Sequence, residues 1–83
     1  PVVLIRVKVM EIPAENREAF YEKLLTLNAT DMVHGAFALE GTNTIIVDSL
    51  EAATMDLEEF QASIDSIGFV LSTHYQTLQE FRK

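Results

Sequence analysis

Cysteine is absent from the 83 residues, so neither a disulfide framework nor a thiolate metal site can form. There is no tryptophan, and glycine and proline are scarce, at three and two residues. Gly35, Gly41 and Gly68 stand apart from one another, which excludes a glycine-rich phosphate loop. Long apolar runs are missing as well. None approaches the ~20 residues that span a bilayer. The apolar opening through Ile5 is too short for a secretory leader and has no basic region ahead of it. The expectation is a cytoplasmic protein that does not meet the membrane. Its length suits one α+β domain over residues 1–83, in which only ~60–65% of the unfolded surface is buried.

Positive charge is the other shortage. The six basic residues are Arg6, Lys8, Arg17, Lys23, Arg82 and Lys83, all near the ends, and the net charge is −7. Between Leu24 and Phe81 there is no Lys or Arg, while Asp31, Glu40, Asp48, Glu51, Asp56, Glu58, Glu59, Asp65 and Glu80 fall there. Nucleic-acid binding needs clustered cations to neutralise phosphates, so this surface would repel a nucleic acid. An acidic surface favours solubility and suits a basic partner segment.

What is present is hydrophobic periodicity. Val2 to Met10 reads as a strand, with Val3, Ile5, Val7 and Val9 on one face and Val2, Leu4, Arg6, Lys8 and Met10 on the other. Pro13 stops it and suits the first turn of a helix. Ala14 to Asn28 reads as that helix. Phe20, Leu24 and Leu27 form its stripe, Ala19, Tyr21 and Leu25 widen it, and Asn28 serves as its C-terminal residue. Gly35–Glu40 and Thr44–Leu50 read as a hairpin. A tight Gly41-Thr42 loop would pair Leu39 with Thr44 and Phe37 with Ile46, and a longer loop would shift that register.

The last third carries the strongest signal. Leu57, Phe60, Ile64, Ile67, Leu71, His74, Leu78 and Phe81 alternate in steps of three and four, the spacing of a long helix or coiled coil. Asp56 can cap its first turn, with Glu59 three residues on. Gly68 lies in its middle, which implies either close packing against a neighbour or a break. The order is therefore β-α-β-β-α, an α+β fold with a small antiparallel sheet packed by two helices, the C-terminal one long. Its early half, through Ile67, is expected to lie on the sheet. Two wide apolar helix stripes exceed what so small a sheet covers. That excess points to self-association or a partner through Phe20, Leu24, Leu27, Leu71, His74, Leu78 and Phe81.

Catalytic constellations are thin. His34 and His74 are far apart in sequence, with no local motif joining either to a serine. Asp31 and His34 give two metal ligands three residues apart, fewer than a zinc site uses. No cofactor is implied. Glu58 and Glu59 are consecutive, and so project from different helix faces.

Two family resemblances can be placed on these residues. Pro1-Val2-Val3-Leu4-Ile5, a strand followed by a helix, is similar to the opening of the tautomerase superfamily. That implies Pro1 as a general base, its amine tuned by an apolar setting. Those enzymes pair the proline with later arginines, and none occurs here between Arg17 and Arg82. The second resemblance covers roughly residues 4–78. Leu24-Leu25-Thr26-Leu27-Asn28, Gly35-Ala36-Phe37-Ala38-Leu39-Glu40, Ile45-Ile46-Val47-Asp48-Ser49-Leu50 and the acidic start Met55-Asp56-Leu57-Glu58-Glu59-Phe60 resemble YbjN-type domains and the class I type III secretion chaperones of the CesT or Tir-chaperone group. It implies a non-enzymatic module that binds a protein client or regulatory partner, as a homodimer. Members of that group carry an extra helix and further strands ahead of the strand that Val2–Met10 matches. A purely structural dimerisation module is the remaining alternative.

Overall fold

Three antiparallel strands and two helices make up the structure, a computed structural model that describes residues 2–32 and 34–82. The chain runs β1 (Val2–Glu11), α1 (Arg17–Thr30), β2 (Ala36–Glu40), β3 (Asn43–Glu51) and α2 (Leu57–Gln79), closed by a 3-10 turn at Glu80–Arg82. This is the expected β-α-β-β-α order with a long final helix. The sheet order is β1-β3-β2, so β3 is central and both other strands are edges.

The hairpin takes the tight register. Phe37 lies opposite Ile46 and Leu39 opposite Thr44, and across β3 the Ile46 row continues to Val7. Gly41 has φ 60° at the loop, a conformation that costs glycine little. Gly35, ahead of β2, is required more strictly. It has φ 79°, and a Cβ there would lie 2.4 Å from the Val47 carbonyl oxygen.

β1 departs from simple alternation near its end. The register slips between Lys8 and Met10, leaving Val9 as a bulge. Val9 and Met10 are consequently both buried in the core, although strict alternation placed Met10 on the opposite face. α1 also starts later than Ala14. Asn16 sits in the left-handed region at φ 57°, which stops a helix from running back to Pro13. Arg17 Nε donates to the Pro13 carbonyl at 3.0 Å and ties the turn to the helix. At the other end α1 continues through Asn28 to Thr30.

The core joins both helices to one face of the sheet. Phe20, Leu24 and Leu27 come from α1, Ile67, Val70 and Leu78 from α2, and Val9, Met10, Phe37 and Ile46 from the strands. The Phe81 ring meets Phe20 edge-on, with centroids 5.4 Å apart. α2 runs unbroken through Gly68, whose missing side chain has nothing within 4 Å. Neither the close packing nor the break expected there occurs. Asp56 caps α2 by accepting the Glu59 N–H at 2.7 Å.

The buried stripe of α2 is Ser63, Ile67, Val70 and Leu78, not the three-and-four seam throughout. A straight helix drifts ~20° per heptad against a 3.5-residue repeat. The seam and the buried face therefore coincide near Ile67 and Leu78 and part at the helix start. Leu57 is 79% exposed and Ile64 is also exposed. The helix start is thus open, while both halves dock, the early one through Ser63 and Ile67 and the later one through Val70 and Leu78.

Candidate protein-binding surface

Seven side chains were expected to form a contact surface. Phe20, Leu24, Leu27 and Leu78 are buried, and Leu71 and Phe81 are partly buried against the same core. The structure brings all six into one place, and that place is the chain's own interior. In this conformation their apolar surface is covered, because α1 and the second half of α2 pack on each other as well as on the sheet.

The seventh, His74, is held by a partner inside the chain. Its Nε2 lies 2.6 Å from Asp31 Oδ2, which joins α2 to the end of α1. Thr30 Oγ1 lies 2.7 Å from the other carboxylate oxygen. The Thr30 hydrogen bond and then the His74 hydrogen bond, with lesser help from the charges of His74 and Lys23, hold the Asp31 carboxyl below its ordinary range against the opposing effect of burial. Asp31 was paired in sequence with His34, three residues away. The fold gives it instead a histidine 43 positions on, a partner that no local spacing signals. Among the described residues, no group of three or more His, Cys, Asp or Glu side chains could hold a metal ion. Pro1 lies outside the described residues.

The available apolar surface lies one step away from the expected residues. On α1, Leu25 is 68% exposed. With Tyr21 on the same helix and Leu39 on β2 it lines a groove floored by Leu24, Asn28 and Phe37. The groove continues along α1 past Glu22 and Glu18. Asn28 fixes the geometry. Its side-chain amide donates to the Phe37 carbonyl at 3.2 Å and its oxygen accepts the Phe37 N–H at 2.7 Å. A helix side chain thereby occupies the edge of β2 where a further strand would bond. Sequence reasoning had Leu25 only as a widening of the α1 stripe. Its position one residue past Leu24 was the available signal, since a 100° step carries it off the buried face. A second exposed set lies on α2, at Leu57, Ile64, Phe69 and Tyr75, and a third on β1, at Val2 and Leu4.

The fold is a three-stranded antiparallel sheet backed by two helices, with apolar grooves beside acidic residues on α1. The model of the CesT_Tir_1 family matches residues 1–83, and the chain belongs to that family. It is a family of type III secretion chaperones, which typically bind proteins and do not catalyse reactions. A comparison with curated proteins gives no match. No helix among the described residues is long and apolar enough to cross a membrane.

Proposed function

We propose that the protein is a non-enzymatic chaperone-like module that holds an apolar segment of another protein, and that it works as a homodimer in the cytoplasm. The observation that carries this reading is the groove of Tyr21, Leu25 and Leu39 beside the occupied edge of β2. An exposed leucine over an apolar floor is costly in water and gains ~25 cal/mol per Å² when covered. The glutamates farther along α1, Glu18 and Glu22, suit a client whose apolar residues are flanked by Lys or Arg. The contact surface in this reading is Tyr21, Leu25 and Leu39, and not the neighbouring Phe20, Leu24 and Leu27. Those three sustain the fold behind it.

A permanently unfolded polypeptide, reduced and alkylated lactalbumin, serves as a probe of client binding. Titration into the fluorescently labelled protein is expected to show saturable binding. Leu25→Glu should weaken it about tenfold, the loss expected from ~1.4 kcal/mol of apolar contact, with an unchanged helical circular dichroism spectrum. Equal affinity of the Leu25→Glu variant would remove the groove from the reading. No binding by the wild-type protein would remove the chaperone role itself.

A further inference from the structure

The groove between α1 and β2 offers side chains to an occupant but hardly any backbone. Asn28 takes both backbone groups of Phe37, so those groups face away from β3 and Phe37 and Ile46 form a non-hydrogen-bonded pair. Alternation along β2 turns Ala38 toward β3 and leaves Leu39 as the next residue whose N–H and C=O face outward. Within β2 an added strand would have Leu39 alone to pair with, and one pair is not a ladder. An extended segment lying here would bury its own N–H and C=O groups against Tyr21, Leu24, Leu25 and Ala38 without partners, which is costly. A helix pairs those groups within itself. The α1 wall has the matching shape. Two of its rows, each in steps of four, run side by side: Tyr21, Leu25 and Ala29, which is largely apolar, and Glu18, Glu22 and Thr26, which is polar. Rows of this kind are what a second helix packs against, and here they extend over about three turns, or ~16 Å.

We propose that the client segment enters this groove as an amphipathic helix, antiparallel to α1, with Lys or Arg in its last turn. This rests on the groove reading above and names the form of the segment held. In that setting the client's apolar side chains, spaced three and four apart, interlock with Tyr21, Leu25 and Ala29, and Leu39 closes the opposite wall. Its last turn reaches the Glu18 end of α1. There its cations meet Glu18 and Glu22, and they also complement the negative end of its own dipole. A parallel helix would need those cations in its first turn, where its own dipole opposes them.

Fluorescence anisotropy of labelled peptides of about 18 residues, titrated with the intact chain, tests the proposal. The first peptide is built of Ala, Gln and Leu, with its leucines at alternating steps of three and four and two lysines in its last turn. It should bind saturably and gain helical circular dichroism on binding. The same peptide with a central proline should bind at least about tenfold more weakly. A peptide of alternating Val and Thr with the same lysines should bind no better than the proline peptide. Moving the lysines of the first peptide to its first turn should weaken binding about threefold, and Glu18→Gln with Glu22→Gln should narrow that difference. Where unfolded lactalbumin still binds through Leu25, three results overturn the helical client and leave the groove reading standing: no binding by the first peptide, equal binding by the proline peptide, or tighter binding by the alternating peptide. Lactalbumin binding that Leu25→Glu leaves intact overturns both. A lysine preference unchanged by Glu18→Gln with Glu22→Gln overturns the antiparallel setting.

Discussion

Thr44 lies wholly buried in the central strand, and its hydroxyl has no hydrogen-bond partner among the described residues. An unsatisfied buried hydroxyl costs about 1–3 kcal/mol of desolvation. Valine has nearly the same shape and an equal preference for strands. Thr44→Val is therefore expected to stabilise the fold by about 1 kcal/mol, read as a higher urea midpoint at an unchanged slope. A lower midpoint would show that the hydroxyl has a role this geometry does not reveal. Asp31 supports a second prediction at this scale. A carboxyl whose folded pKa lies below its unfolded value adds stability that is present above the unfolded value, ~3.9 for aspartate, and is lost as pH falls through the folded one. Asp31→Asn removes the charge that His74 meets. Urea midpoints followed from pH 7 to about pH 2.5 should fall less steeply in Asp31→Asn than in wild type at the acid end, with the difference confined to the region below about pH 5. Parallel curves would show that the Thr30 and His74 contacts of the Asp31 carboxylate together contribute nothing to folding. The pair could not be foreseen from spacing. A loop aspartate and a helix histidine became neighbours only through the packing of α1 on α2.

Elements were more legible than contacts. The alternation in β1, the stripe of α1, the turn at Gly41-Thr42 and the Asp56 cap each rest on local chemistry, and all are seen in the fold. What sequence did not reveal was orientation. The apolar seam of α2 was visible as a period, but which of its residues turn inward was not: Ser63 and Val70 are buried while Leu57 and Ile64 of the seam are exposed. Phe81 on Phe20 and His74 on Asp31 add contacts at the C-terminal end of the helix that no spacing announced. The bulge at Val9 was hidden for a similar reason, because a single unpaired residue leaves no mark on an apolar strand. Gly68 yields this scale's prediction. It is exposed, inside a continuous helix, with open space where a side chain would lie. Gly68→Ala should raise stability by about 0.5–1 kcal/mol, the ordinary difference in helix propensity. Thermal melting with circular dichroism reads it as an upward shift of several degrees. A loss of stability would mean that the open space at Gly68 is filled by a contact with another chain.

At the scale of the whole molecule, charge separates the two kinds of contact proposed for this protein. Each copy carries −7, so two copies repel as they approach. Salt shortens the reach of that repulsion, from ~20 Å near 0.025 M to ~6 Å near 0.3 M. A contact between copies made of apolar side chains is itself hardly touched by salt. The dimer is therefore expected to tighten as salt rises, by about three- to tenfold over that range, measured by sedimentation equilibrium. A client drawn by Glu18 and Glu22 to its own Lys or Arg residues behaves in the opposite sense, since screening removes an attraction. A Lys-rich unfolded probe should bind more weakly at the higher salt, mainly through a slower association rate. If both contacts weakened with salt, attraction between charges would dominate each, and apolar contact could not be the main force joining the copies. If both tightened, the acidic stretch of α1 would have no part in choosing a client, and the groove would select on apolar surface alone.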